Sequence, residues 1–133
     1  MKRQYLMIGC LALLVFLGGC IEPDRQRLHP PAWIQGEWGI TSGPNAMSYT
    51  FTATTVIQRA GYISLDYEEM FRSSDTHVTE KITGQLYSFT YLAEEGGVTA
   101  EMTLEFTRVD ADNINMTLKT SGGSIGPLPL TRL

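Results

Sequence analysis

Cysteine is scarce in this 133-residue sequence, and its distribution excludes several kinds of chemistry. The chain has two cysteines, Cys10 and Cys20, and both lie in its first 20 residues. From residue 21 onward the chain therefore has no internal disulfide, no thiol nucleophile and no thiolate ligand for a metal. A domain built from that part of the sequence must be held together by its hydrophobic core alone.

Positively charged residues are also few, and they form no basic stretch. The chain has 10 Lys and Arg against 14 Asp and Glu, which gives a formal net charge of −4. Two of the basic residues, Lys2 and Arg3, fall in the N-terminal segment, and no run of basic residues occurs elsewhere. Binding to phosphates along a strand needs such a run, so we expect no nucleic-acid partner.

Residues that carry out catalysis are sparse as well. His77 is the only histidine in residues 32–133, and no serine lies in a nucleophile-elbow motif that would complete a triad with it. Glu101 and Glu105 share one face of a predicted strand but lie about 13 Å apart, too far to act on one bond. No spacing of His, Asp or Glu is typical of a metal site. We therefore expect no enzyme activity, no metal and no cofactor.

The N-terminus has the pattern of an export signal. Two basic residues precede an uncharged, mostly apolar run over residues 5–17, which is too short to span a membrane. The run ends in four residues that resemble the lipobox of bacterial lipoproteins: Leu17, Gly18, Gly19 and Cys20. The resemblance implies that residues 1–19 are a signal peptide that is removed. It also implies that Cys20 carries the acyl chains, palmitate among them, of a membrane anchor.

The residues after the cysteine predict a tether and a location. Residues 20–31 are mostly polar and contain three prolines, a composition typical of an extended, flexible linker. We therefore place the folded domain at residues 32–133. In enteric bacteria an aspartate after the acylated cysteine favours the inner membrane. Ile21 occupies that position here, so we expect a lipid anchor in the outer membrane of the cell envelope if the host has one.

Alternation of apolar and polar residues predicts strands in the C-terminal half. Every second residue from 98 to 106 is apolar, and the same holds from 114 to 118. This period-two pattern is typical of strands with one buried face. A cluster of Asp and Asn at 110–113 separates the two segments and predicts a turn. Together the three segments predict a β-hairpin.

The rest of the domain also consists of short segments that fit strands, separated by turns. Turn signals about every ten residues give eight or nine short strands, one of them over residues 62–68 with a loop at 72–75. Met70 and Phe71 fit either a short helix or a bent edge strand. We therefore predict an all-β domain, either an antiparallel barrel or a sandwich.

One triplet favours a barrel over a sandwich. Gly36-Glu37-Trp38 resembles the Gly-x-Trp triplet that opens the first strand of lipocalin-like domains. In that family the tryptophan closes one end of an up-and-down barrel of eight strands, and an arginine near the last strand packs over its ring. Arg132 occupies the matching position. The resemblance, to compact lipocalin-like lipoproteins of bacteria, implies an antiparallel up-and-down β-barrel of about eight strands that Gly36, Trp38 and Arg132 close.

Two functions follow from such a barrel. In the first, the anchored domain holds a small apolar ligand in a cavity at the end away from Trp38. In the second, the barrel is filled and docks or inhibits an envelope protein through an exposed patch near Tyr62, Tyr67 and Phe71. The residues that we expect to fill the interior are Phe51, Phe89, Met102, Phe106 and Met116.

Overall fold

The computed structural model describes residues 27–40 and 46–133. The predicted signal peptide, residues 1–19, and the predicted acylation site, Cys20, lie outside the described residues. The described part is all-β, as predicted, with nine strands and one short helix. None of its helices is long and apolar enough to cross a membrane.

The strands fall into two groups on either side of the helix. The first group has four short strands: β1 (Gly36–Ile40), β2 (Met47–Phe51), β3 (Val56–Ala60) and β4 (Ile63–Asp66). The helix α1 (Tyr67–Ser73) follows. The second group has five strands, of which the last four are long: β5 (Val78–Ile82), β6 (Leu86–Glu95), β7 (Val98–Arg108), β8 (Asn113–Thr120) and β9 (Gly123–Arg132).

All nine strands form one antiparallel up-and-down sheet. Their order is β4-β3-β2-β1-β9-β8-β7-β6-β5, so the first strand pairs with the last. That pairing curls the sheet into a half-barrel and leaves β4 and β5 as its two edges. The up-and-down topology is therefore confirmed, with nine strands where we expected about eight and with an opening between β4 and β5.

Helix α1 begins where we predicted a strand. Asp66 caps the helix, because its Oδ1 accepts hydrogen bonds from the backbone N–H groups of Glu68, at 3.0 Å, and Glu69, at 3.4 Å. The strand predicted over residues 62–68 therefore ends at Asp66, and its last two residues are helical. The helix continues to Ser73, so it also includes the first two residues of the loop predicted at 72–75.

The helix fills the opening in the sheet. Tyr67 and Phe71 lie one turn apart on α1, and both are buried. The Tyr67 ring packs 5.1 Å from that of Phe89, and the Phe71 ring packs 5.1 Å from that of Tyr91, both on β6. A helix with two aromatic residues on one face thus covers core that the missing β4–β5 pairing leaves open.

The core consists mainly of aromatic rings that point inward from alternate strand positions. Phe106 packs edge-on against Phe51, with 4.9 Å between ring centroids, and against Tyr49, at 5.2 Å. Such edge-to-face pairs are each worth about 0.5–1.5 kcal/mol beyond the area that they bury. Of the residues expected to fill the interior, Phe51, Phe89, Phe106 and Met116 are buried and Met102 is half-buried.

Packing against this core begins before Ala32, where we placed the start of the domain. Leu28 is fully buried. The next residue, His29, donates its backbone N–H to Glu80 Oε2 at 2.8 Å and places Nδ1 2.8 Å from Glu80 Oε1. The Tyr87 hydroxyl donates to the same Glu80 Oε2, also at 2.8 Å. The last residues of the predicted tether are thus packed on the sheet.

Candidate functional site

The two ends of the curled sheet differ, and we name them by their residues. The closed end is the end where Gly36, Trp38 and Arg132 lie. The open end is the one that carries the β6–β7 turn at 96–97 and the β8–β9 turn at 121–122.

Trp38 and Arg132 face each other at the closed end. They are paired residues on the neighbouring strands β1 and β9. The guanidinium carbon of Arg132 lies 4.1 Å from the centroid of the Trp38 ring, within the range of a cation–π interaction. The indole is 1% exposed, and its N–H donates to the Ile34 carbonyl at 2.7 Å.

Arg132 also holds three backbone carbonyls that belong to different parts of the chain. Nη1 donates to the Gln35 oxygen at 3.1 Å, Nη2 to the Trp33 oxygen at 3.4 Å and Nε to the Ala111 oxygen at 3.2 Å. The side chain thereby links the segment before β1 to the turn between β7 and β8. Hydrogen bonds from a charged group are roughly twice as strong as neutral ones.

Gly36 gives this arginine its space. Its φ of +124° lies in a region that side chains rarely adopt, and a Cβ there would lie 2.9 Å from Arg132 Nη1. The structure thus brings Gly36, Trp38 and Arg132 together at one end of the sheet. Their role in holding that end closed stays a prediction, and it is tested below.

The sequence did not reveal a second tryptophan contact at the closed end. The indole N–H of Trp33 donates to the Thr83 carbonyl at 2.9 Å, and Arg108 lies 5.7 Å from the ring centroid. Trp33 thereby fixes the segment before β1 to the β5–β6 turn. The one sequence signal for this contact was a tryptophan three residues before the Gly36-Glu37-Trp38 triplet.

Unequal strand lengths create a groove at the open end. β6 and β7 contain 10 and 11 residues, whereas β5 contains five. β5 pairs with β6 only as far as Val78 opposite Tyr91. Beyond Tyr91, β6 continues past the end of β5, and the loop after α1 lies beside it. The volume between the loop and β6 is about 700 Å³.

The groove has an apolar wall and a polar rim. Four apolar residues line it: Met70 from α1, and Tyr91, Leu92 and Ala93 from β6. The rim consists of Ser74, Asp75, Thr76, His77, Glu94 and Thr99. β5 begins beside this groove and the antiparallel β6 ends there. The turn that joins their other ends contacts Trp33 at the closed end, so the groove lies at the end of the sheet away from Trp38.

Tyrosine hydroxyls lie on the inner side of the sheet behind the groove. The Tyr67 hydroxyl donates to Gln58 Oε1 at 2.7 Å. Burial raises the pKa of Tyr67 and of Tyr91 above that of a free phenol. Burial, together with the nearby Tyr91, also raises the pKa of Tyr49 to about 12. These hydroxyls are therefore uncharged at neutral pH and act as hydrogen-bonding groups.

Only one of the three residues around which we expected an exposed docking patch lies on the surface, and the exposed Ile63 is next to it in the chain. Tyr67 and Phe71 are 3% and 0% exposed because both point into the core from α1, and only Tyr62 is on the surface. His77 is exposed on the rim of the groove. Within residues 27–40 and 46–133, no three His, Cys, Asp or Glu side chains group closely enough to hold a metal ion.

Comparison with known proteins adds no relative. No protein-family model, no curated protein and no solved structure matches the chain. The fold therefore defines only a class, a small all-β domain with one curled up-and-down sheet, and the function must be argued from the groove itself.

Proposed function

We propose that this protein is a lipid-anchored envelope lipoprotein whose lipocalin-like domain binds a small apolar ligand in the groove at the open end. The observation that carries the proposal is the groove itself. Its volume of about 700 Å³ falls within the range of about 300–1,000 Å³ that is typical of small-molecule sites.

The composition of the groove also supports a small apolar ligand. Ligand sites are lined mainly by apolar and aromatic side chains, with a few polar groups that orient the bound molecule. Met70 and Tyr91 provide a flexible thioether and a ring, and Tyr91 is only partly buried. Methionine adapts its shape to irregular ligands at a small energetic cost.

The filled closed end limits where a ligand can bind. Phe51, Tyr87 and Phe106 are 0–2% exposed and pack between the groove and Trp38 as part of one buried core. A ligand therefore enters and leaves through the open end. The packed core beside the groove gives the site the support of a regular sheet, which a binding site needs.

Native mass spectrometry tests ligand binding directly. The sample is the mature chain, residues 20–133, with Cys20→Ser so that it carries no lipid and is purified without detergent. We expect an additional mass of a few hundred daltons that is lost on collisional activation. Ala93→Phe, which fills the groove, should remove that mass. Ala53→Phe, the same change in an exposed turn, should retain it. A bare polypeptide mass in the parent protein would contradict the proposal.

The anchor needs a separate test. In the wild-type chain we expect the protein in the membrane fraction, because two or more acyl chains make binding to a bilayer stable. Cys20→Ser should move it to the soluble fraction or leave an uncleaved precursor. If the variant fractionates with membranes as the wild type does, Cys20 is not the anchor, although the ligand site is unaffected by that result.

A further inference from the structure

We propose that Tyr49 determines the specificity of the groove and selects apolar ligands that carry an uncharged, hydrogen-bonding oxygen, as in a long-chain alcohol. This inference rests on the proposed function, because it concerns the ligand of the groove at the open end. It goes further by naming the polar group of that ligand and the side chain that binds it.

The hydroxyl of Tyr49 is a buried hydrogen-bonding group without a partner. Tyr49 is 1% exposed, and its hydroxyl makes no hydrogen bond to any residue in the part of the chain that the structure describes. Leaving a buried hydroxyl unpaired is costly, so folded proteins rarely do so unless water or a ligand completes the bond.

The same hydroxyl can be reached by a small molecule. Every polar side-chain atom that is fully buried within residues 27–40 and 46–133 has a hydrogen-bond partner. Since the Tyr49 oxygen has none, it is not one of these fully buried atoms and keeps a small accessible surface. The unpaired oxygen is therefore within reach of a ligand atom.

Neutral polar side chains connect Tyr49 with the groove. Gln58 lies directly opposite Tyr49 on β3 and accepts a hydrogen bond from the Tyr67 hydroxyl at 2.7 Å. The ring of Tyr67 lies 6.1 Å from that of Tyr91, which lines the groove. Tyr91 is also close enough to Tyr49 to contribute, after burial, to the raised pKa of Tyr49. Tyr49 thus lies at the inner end of a polar path that begins at the groove.

This path favours a ligand oxygen that accepts a proton and carries no charge. The Tyr67 hydroxyl already donates its proton to Gln58, whereas the Tyr49 proton is unused. Tyr49 keeps that proton at neutral pH, because burial raises its pKa to about 12. A carboxylate or an ammonium would bring a charge among side chains that are all uncharged, and a buried charge without a partner is strongly disfavoured.

The apolar part of such a ligand has a matching surface. Beyond Tyr91 the inner face of the sheet continues with Ala93 on β6, and Met102 on β7 lies opposite Tyr91. Ala93 and Met102 are both only half-buried. An alkyl chain that extends from Tyr49 toward the open end therefore contacts side chains that still have apolar area to bury.

Three probes with the same octyl chain separate the polar group from apolar contact. They are octanol, octanoate and chlorooctane, each titrated by NMR at neutral pH into the lipid-free mature chain. Tyr49→Phe removes the hydroxyl but keeps the ring. We expect it to weaken the binding of octanol about threefold to tenfold, because the ligand oxygen loses its donor, and to change the binding of chlorooctane by less than about twofold. Octanoate should bind the parent protein about tenfold or more weakly than octanol does.

A second variant is the matched control. Tyr62→Phe makes the same chemical change at a fully exposed position, so the affinity for all three probes should stay the same. Retained binding of chlorooctane by Tyr49→Phe shows that this variant is folded and that its apolar site is intact.

The possible outcomes separate this inference from the proposed function. Equal losses of octanol and chlorooctane binding in Tyr49→Phe, or no loss of octanol binding, overturn the role of Tyr49 and leave an apolar site in place. Tighter binding of octanoate than of octanol overturns the preference for an uncharged group. Failure of all three probes to bind the parent protein contradicts the proposed function together with the inference.

Discussion

The closed and open ends of the sheet share one inward-facing pattern, yet only the closed end is filled. On β8 and β9, Ile114 at the closed end is fully buried, whereas Ile125 at the open end is 71% exposed. Both belong to the inner face, since Ile125 pairs with Leu118 and Leu118 shares the face of Ile114. The comparison teaches that alternation selects the face of a residue, whereas coverage by neighbouring elements decides whether that face is buried.

The two ends differ in burial because other segments of the chain cover the inner face only at the closed end. At the closed end, residues 28–35 cross the sheet and place Leu28 and Ile34 against the aromatic core. At the open end, the long strands extend beyond the short ones, and Val98 at the tip of β7 is 69% exposed. We therefore expect the closed end to contribute most of the stability and the proposed binding to use the open end, and the following predictions test that division.

The largest effect should come from Trp38→Ala. Removing this buried ring takes away its packing and the partner of Arg132, so we expect a loss of about 3–5 kcal/mol in the free energy of unfolding. Thermal or urea denaturation measures it. The variant should still carry the bound ligand in native mass spectrometry, because the groove lies at the other end of the sheet. An unchanged melting temperature would remove the closing role assigned to Trp38.

The second largest effect should be the loss of stability at alkaline pH. Because the pKa of Tyr49 is about 12 in the folded protein and 10.0 for a free phenol, the unfolded chain loses its proton first. The contribution of the protonated Tyr49 hydroxyl to the free energy of unfolding is fully present below pH 10. It is lost as the pH rises through 12, by at most about 1.4 kcal/mol per pH unit. Burial likewise raises the pKa of Tyr67 and Tyr87, so they act in the same direction.

Urea midpoints between pH 8 and 12 measure this dependence. Tyr49→Phe should flatten it, since phenylalanine has no proton to lose. Tyr62→Phe, at a fully exposed position, is the matched control and should leave the slope unchanged. A slope in Tyr49→Phe as steep as in the parent protein would show that Tyr49 does not stay protonated in the core.

Gly36→Ala should have an intermediate effect. The new Cβ meets a positive φ and the Arg132 guanidinium, so we expect a cost of about 1–3 kcal/mol. Gly84→Ala is the control, because it has an ordinary φ and nothing within 4 Å of the added carbon, and it should change stability by about 0.5 kcal/mol or less. Equal melting temperatures for the two variants would exclude the close approach of Arg132.

The smallest effect should come from Ile125→Thr at the open end. An exposed position loses little on this change, so we expect about 0.5 kcal/mol or less. The same substitution at Ile114, which is buried at the closed end, places a hydroxyl in the core and should cost several times more. Parallel urea titrations compare the two. If both variants lose the same stability, the ends do not differ as we describe.

Sequence reasoning succeeded where the signal is local. The strand predicted over residues 98–106 corresponds to β7, and the next segment falls within β8. It failed at Tyr67, where the apolar pattern of a strand continued across the Asp66 cap. It also missed Leu28, a single apolar residue among polar ones, since one residue shows no period.

The sequence by itself determined that the domain is all-β and which side chains point inward, because alternation with period two depends only on neighbours along the chain. It also placed Gly36, Trp38 and Arg132 in one predicted cluster, through a resemblance rather than a derivation. Only the tertiary structure decided that β4 and β5 stay unpaired, that α1 fills the opening, and that β6 extends beyond β5 to form a groove. These features depend on which distant strands lie side by side and how far each one extends, and no local pattern contains that information.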